Sequence, residues 1–303
     1  MSQDSFAESE RFEQRLRQKR FLVTMEVNPP KGTDLSEILQ AVDRVRGLVD
    51  AINVTDGSGA IMRACPLAVA RIVLEQGIDP ILQMTCRDRN RLALQADLLG
   101  AAMLGLRNLL LLTGDDPKSG DHPEAKPVFD MNSAALMQVA KGMTEGRDMV
   151  GKPLSGSPRF CIGAAADPGA KDLNVELQKL KAKLDGGAVF FQTQAVFDAA
   201  PLRLFMEHAR PYGKPVLAGI LLVKSAKMAR YMNEHVWGIH VPEELIARFE
   251  QAKDKRTECI AVTTELIRAV RDVADGIHLY ALGWEDLVPD ILKEAAVATE
   301  RAA

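Results

Sequence analysis

The chain has 303 residues, with 38 basic against 41 acidic side chains and a formal net charge of −3. The basic residues are dispersed, which leaves no footprint for a polyanion and removes nucleic acid from the expected partners. A chain of this length suits one α/β barrel, for which about 250 residues is typical, or two modest domains, and can bury a core without staples.

Four cysteines (Cys65, Cys86, Cys161, Cys259) lie far apart with no Cys-x-x-Cys pair, as expected of reduced thiols in a cytoplasmic protein. His235 and His240 are five apart, so they do not share a helix face, and no metal site is legible. Residues 1–20 are charged throughout and lack the apolar core of a signal peptide. No apolar run has the length of a bilayer span, so membrane insertion is not expected.

Residues 5–18, rich in Glu, Arg and Gln with Phe6 and Phe12, predict an opening helix across the foot of the fold. Residues 21–31 then form an apolar, β-prone run that carries Glu26 near its end, before Pro29 and Pro30 forbid further pairing. Seven more apolar runs follow, at residues 51–54, 80–84, 108–112, 159–162, 188–191, 215–220 and 276–279. Nearly all end in polar or small residues. Eight such runs separated by helical stretches predict a parallel (β/α)8 TIM barrel, a single catalytic domain over residues 1–303 with a helical extension over 1–20. Chemistry then belongs at the carboxyl ends of the strands, and Glu26 becomes one acid on a ring of convergent polar groups. A solvated edge-strand Glu is the plain alternative.

Asp34 or Ser36 can cap the helix after Glu26. Thr55 opens a glycine-rich loop that either turns the chain or receives a phosphate or sugar hydroxyl. Gln83, Thr85, Arg87 and Asp88 cluster at the third mouth. The stripe Leu92, Ala96, Leu99 and Met103 predicts ordinary core packing. A continuous apolar run ends in Thr113, Gly114, Asp115 and Asp116; the two acids are turn or cap residues, or one is a buried acceptor for a heterocycle or ribose. Residues 118–129 look too polar to pack and predict a lid. The small residues around Asp167 leave room for a flat ligand. Of Lys179, Lys181 and Lys183, one near the mouth could meet a phosphate, while the others are solvated. Gln192 and Gln194 offer amides suited to a pterin or purine edge. Neither Gly-x-Gly-x-x-Gly after the first strand, Gly-x-x-x-x-Gly-Lys-Ser/Thr nor Gly-x-Ser-x-Gly occurs.

In this order the pieces resemble the methylenetetrahydrofolate reductase family, over about residues 21–280. The resemblance is carried by Met25-Glu26-Val27-Asn28-Pro29-Pro30, Leu112-Thr113-Gly114-Asp115, residues 181–187 with Gln194, and Gly219-Ile220-Leu221. It implies FAD across the barrel top, a tetrahydrofolate stacked on the flavin, and a place in one-carbon metabolism and methionine biosynthesis. Glu26 holds the position of the acid that protonates the folate before the reduced flavin delivers hydride, in that direction or its reverse. Asp115 matches the acid beside flavin and pterin, Gln194 the pterin-binding amide, and Tyr280 a residue beside the folate. Thr55, Gln83, Thr113, Gly114, Asp167 and Lys183 fall where the family touches FAD.

The sequence also departs from the family. Gln83 replaces a flavin-side His, Thr113 an Arg, Leu222 a Pro, and Ala195 and Ala226 two aromatics at the mouth. The departures leave the electron donor open and point to an accessory electron-donating protein; homo-oligomerisation is also compatible. A flavin-free pterin-binding methyltransferase barrel and a flavin-bearing subunit of a larger redox complex are the competing readings.

Overall fold

A computed structural model describes residues 11–18, 20–236 and 238–297. Eight parallel strands close into a barrel in sequence order. They are β1 (Leu22–Val27), β2 (Ala51–Val54), β3 (Pro80–Thr85), β4 (Asn108–Leu112), β5 (Cys161–Ala166), β6 (Phe190–Ala195), β7 (Val216–Leu221) and β8 (Gly276–Tyr280). Closure is made where β1 sets Thr24 opposite Ala51 of β2 and Leu22 opposite Gly276 of β8.

Side chains two apart on a strand share a face, which sorts each strand into an inner and an outer set. Leu22, Ala51, Ile81, Leu110, Cys161, Phe190 and Leu217 form an inner cluster distinct from the larger core outside the barrel. By the same parity, Thr24, Asn53, Gln83, Gln192 and His278 make the layer above, and Glu26, Thr55, Gln194 and Tyr280 the layer at the mouth. The outer set (Val23, Met25, Ile52, Val54 and their equivalents) packs under the helices.

The foot is closed from below by α1 (Phe12–Arg17). Phe12 is fully buried and meets the edge of the Phe190 ring at 5.2 Å between centroids. Asp79 bolts this helix in place: it accepts from Phe12 N–H at 2.8 Å, from Arg11 at 3.0 Å and from Asn108 at 2.8 Å. The opening helix thus lies where the sequence placed it, although the part of that expectation on residues 5–10 falls outside the described residues.

Around the barrel run α2 (Ser36–Val45), α3 (Pro66–Glu75), α4 (Arg91–Met103), α5 (Ser133–Thr144), α6 (Leu173–Asp185), α7 (Ala199–Ala209), α8 (Ala226–His235), α9 (Glu243–Gln251) and α10 (Lys255–Val270), with α11 (Val288–Glu294) after β8. Short polar side chains start many of them by accepting backbone N–H groups: Asn90 for α4, Asn132 for α5, Asp172 for α6, Asp198 for α7, Ser225 for α8 and Asp254 for α10. Asp34, ahead of α2, accepts from Ser36 N–H at 2.9 Å. No described helix is long and apolar enough to cross a membrane.

Two expectations are corrected. The fifth and sixth strands begin two residues later than the apolar runs suggest and extend through Ala166 and Ala195. Their small and polar ends point into a wide mouth, where pairing with neighbours holds the strand without apolar side chains. Of the stripe Leu92, Ala96, Leu99 and Met103 only Leu99 packs against the core: Leu94, Leu98 and Ala101 face the barrel, while Leu92 is 74% and Met103 84% exposed. Periodicity finds a stripe on a helix but does not say which face turns inward when both are apolar. The 118–129 segment is exposed nearly throughout, as its polarity predicts, and is tied down at two points. Asp121 pairs with Lys31 and accepts from Met62 N–H at 2.9 Å, and Val128 N–H donates to Arg87 at 2.7 Å.

Candidate active site

The mouth is built around Glu26, 6% exposed near the end of β1. Its Oε2 lies 3.8 Å from Nε2 of the buried His278 on β8. Among the described residues no hydrogen bond reaches this carboxylate. The other imidazole nitrogen, Nδ1, lies 2.9 Å from Thr24 Oγ1 and 3.2 Å from the Gln192 amide. Gln192 in turn exchanges hydrogen bonds with Asn53 at 2.7 and 3.1 Å. A polar layer therefore spans the barrel directly beneath Glu26 and fixes the imidazole ring from the side away from it.

Tyr280, two residues on along β8, stands edge-on to His278 with centroids 4.7 Å apart. Its hydroxyl donates to Thr193 O at 2.8 Å. Burial, reinforced by the nearby Glu26, drives this phenol far above the ordinary range, so it stays protonated. The ladder between β6 and β7 shifts register between Gln192 and Ala195, where Gly219 N–H donates to Thr193 Oγ1 at 2.8 Å. The irregularity spans Gln194, which by strand parity belongs to the mouth layer. A Cβ on Gly219 would fall 2.4 Å from Thr193 O and 2.8 Å from the Tyr280 ring, so only glycine lets the two elements close.

Four predicted residues line one cavity of about 410 Å³: Thr113, Asp167, Lys183 and Gln194, beside Ala165 and Ala166. Burial raises the Asp167 carboxyl, against the Gly169 N–H that stabilises its charge. Burial also lowers the Lys183 ammonium, which donates to Ala165 O at 2.7 Å and lies 4.0 Å from Glu176. The cavity continues through Asp167, Glu176 and Lys179 into a groove of about 1090 Å³ between the β5 and β6 loops and the end of α8. Gly238 closes over this junction, its Cβ position 3.5 Å from Asp167 Oδ2 and 3.7 Å from Gln194 Cγ.

The remaining predicted residues lie around this centre rather than inside the cavity. Thr55 is buried with its hydroxyl donating to Asn28 at 2.8 Å, and Gln83 is buried on the inner face of β3. Gly114 takes a φ of +98°, and a Cβ there would lie 3.0 Å from both Thr85 and Arg87. Asp115 and Asp116 are both exposed, which corrects the expectation of a buried acceptor at this strand end. Asp115 accepts from Gly59 N–H at 2.9 Å, and Asp116 caps the next turn through Lys118 N–H. The buried acid of this quarter is Asp56, which accepts from Thr85 N–H at 2.7 Å and pairs with Arg89. Sequence reasoning passed over Asp56 and His278. Strand-end position signals the first, and parity with Tyr280 signals the second.

The comparisons with known proteins agree with this geometry. The sequence model described as methylenetetrahydrofolate reductase matches residues 11–296. Methylenetetrahydrofolate reductase 1 of Schizosaccharomyces pombe is 24% identical over 293 residues, covering 91% of this chain and 46% of that protein. The chain therefore spans about half the length of such eukaryotic relatives. The 5,10-methylenetetrahydrofolate reductase of Pectobacterium carotovorum is 25% identical, with 89% of this chain and 88% of that protein covered. Among solved structures, an uncharacterized Clostridium thermocellum protein that binds two copies of 5-methyl-5,6,7,8-tetrahydrofolic acid superposes with a TM-score of 0.64 at 13% identity. The match covers 95% of this chain and all of that one, and it shows a shared fold. With a family match running from the foot helix to the end of α11, this chain belongs to the methylenetetrahydrofolate reductase family.

Proposed function

We propose that the chain interconverts methylenetetrahydrofolate and methyltetrahydrofolate in a flavin-dependent reaction, with Glu26 as proton donor. The observation that carries the reading is a buried carboxylate on the inner face of β1, free of hydrogen-bond donors among the described residues and backed by His278. Opening the bridged ring of the folate needs a proton on the departing nitrogen, and an acid at the mouth is placed to give it. Asp115, across the mouth on the β4 loop, offers a negative charge to the cationic iminium that ring opening creates. Gln194 presents donor and acceptor to the pterin edge.

FAD, when bound, supplies the hydride. The residues fit it: Ala165 and Ala166 leave a flat wall, and the cavity beside them opens into a groove large enough for the rest of a dinucleotide. Thr113, Asp167 and Lys183 line that space, while Thr55, Gln83, Gly114 and Asp115 are assigned to FAD by the resemblance and lie outside it. An accessory protein, rather than free nicotinamide cofactor, supplies the electrons in this reading.

Glu26→Gln tests the assignment. The variant should keep flavin binding and flavin reduction by a chemical donor, yet lose on the order of 10²–10⁴ in folate turnover. Turnover near that of the unaltered protein would make Glu26 structural and sink the mechanism.

A further inference from the structure

The foot of the barrel holds a further cavity, of about 760 Å³. Its wall is made by α1 and by the residues that lead into β1, β6, β7 and β8. Glu26, Gln194 and Tyr280 stand at the opposite ends of three of those strands. Leu22 in the wall and Glu26 are four residues apart on β1, roughly 13 Å at the rise of a strand. The inner cluster around Phe12 and Phe190 fills the barrel between the two levels, so a molecule held at the foot does not touch the mouth.

Five cations line this cavity, Arg17, Arg20, Arg210, Lys214 and Arg271, against two carboxylates, Glu13 and Asp275. They come from three stretches far apart in the chain, so basic residues that are dispersed in sequence meet only in the fold. Their partners leave much of the charge uncompensated. Arg17 pairs with Glu13 at 2.6 Å. Arg20 and Arg15 reach the same carboxylate, Asp50, at 2.5 and 3.3 Å, and Arg20 Nε is buried without a hydrogen-bond partner among the described residues. Arg210 donates to Val273 O at 2.9 Å and Arg271 to Ala296 O at 2.8 Å, both neutral carbonyls. Lys214 is half-buried and makes no hydrogen bond or ion pair with a described residue. Asp275 is engaged by the backbone, its Oδ2 accepting from Val216 N–H at 2.9 Å.

Between the cations the wall is apolar, made by Phe21, Leu22, Val189, Pro215 and Ala274. Phe21 is half-buried, and the Arg271 guanidinium lies 6.0 Å from the centre of its ring. Ring and guanidinium are both surfaces on which a planar heterocycle stacks. The volume falls within the range of about 300–1,000 Å³ usual for small-molecule sites, and a concave cavity of that size does not admit a nucleic-acid duplex.

We propose that this cavity binds a small organic polyphosphate with a planar body, a nucleoside di- or triphosphate, at a site separate from the mouth. Guanidinium and ammonium groups that have only carbonyls, or half a carboxylate, for partners gain most from phosphate oxygens, which accept several charge-assisted hydrogen bonds at once. The apolar wall beside Phe21 takes the base. Neither part alone uses the whole lining, so the chemistry of the cavity asks for both on one molecule.

Isothermal titration of the full chain with ATP tests the site. One ATP per chain should bind, with a Kd on the order of 10–100 μM that rises several-fold between ~50 and ~200 mM NaCl. Lys214→Glu should weaken binding about tenfold with an unchanged melting temperature of the free protein, and Lys214→Arg should retain it. Arg17→Gln, on the opposite wall, should weaken it about threefold. Lys183→Ala, at the mouth, should leave it unaltered. Absence of binding at ~1 mM ATP overturns the proposal. So does binding that Lys183→Ala abolishes and Lys214→Glu spares, which would put the nucleotide at the mouth. Tripolyphosphate bound as tightly as ATP would show the cations acting without the apolar wall and overturn the nucleotide assignment. Binding that appears only after residues 1–10 are removed would show the cavity taken by that segment, with its Asp4, Glu8 and Glu10, and would equally overturn it.

Discussion

Beneath Glu26, the side chains of Thr24, Asn53, Gln192 and His278 satisfy one another in a closed interior where no water-facing alternative is at hand. Gln192 is the hub, contacting the other three. Gln192→Leu should therefore cost about 1–3 kcal/mol, because it strands polar atoms rather than merely removing one bond. The shift of the urea midpoint measures it, and an unchanged midpoint would mean that the layer rearranges freely. At this scale the sequence is legible where a residue's own position carries the signal. Glu26 stands out as an acid in an apolar run and Gln194 as an amide at a strand end, whereas Tyr280 enters only through the family resemblance. Asp56 is signalled by its strand-end position and His278 by its parity with Tyr280, but their partners are not legible: Thr24 lies more than two hundred residues from His278, and Thr85 ends the strand next to that of Asp56.

At the level of elements, the mouth depends on places where a side chain is missing. Gly219 is the sharpest case, since its neighbours within 3 Å are two backbone carbonyls and the Tyr280 ring. Backbone does not yield as a flexible side chain does. Gly219→Ala should cost about 1–3 kcal/mol in strain and displace Gln194 and Tyr280 together. A fall in melting temperature accompanied by weaker folate binding, with flavin binding less affected, is the expected pattern; folate affinity unchanged would separate the bulge from the site. Strand order and closure were readable because each apolar run ends at a polar or small residue and a helix follows. The lengths of β5 and β6 were not, because their last residues are held by ladder pairing and not by burial of apolar side chains. The exposed Leu92 and Met103 of α4 escape for a related reason: hydrophobicity alone does not say which of two apolar faces turns to the core.

For the molecule as a whole, two small residues stand where the family resemblance implies large ones. Ala195 ends β6 and Ala226 begins α8, both half-buried, where aromatic side chains are expected from the resemblance. Stacking of that kind contributes roughly 0.5–1.5 kcal/mol per contact beyond the area buried. NADH should consequently bind about one to two factors of ten more weakly than it would with both rings present. In the flavin-dependent reading proposed above, stopped-flow bleaching of the flavin reads this, and rapid, saturable reduction by NADH on the order of 1–10 μM would overturn the proposed protein donor. The way the barrel is sealed has a different kind of consequence, one set during synthesis. β1 pairs with β8, and Phe12 plugs a ring to which Phe190 and Leu217 contribute. While the ribosome is still extending the chain, β1 has a partner on one side only, and the foot helix has no finished floor to seal. At about 5–20 residues per second the open edge persists for tens of seconds. Not until Tyr280 has cleared the exit tunnel do the first and last strands meet, so early chain is held in waiting by late chain.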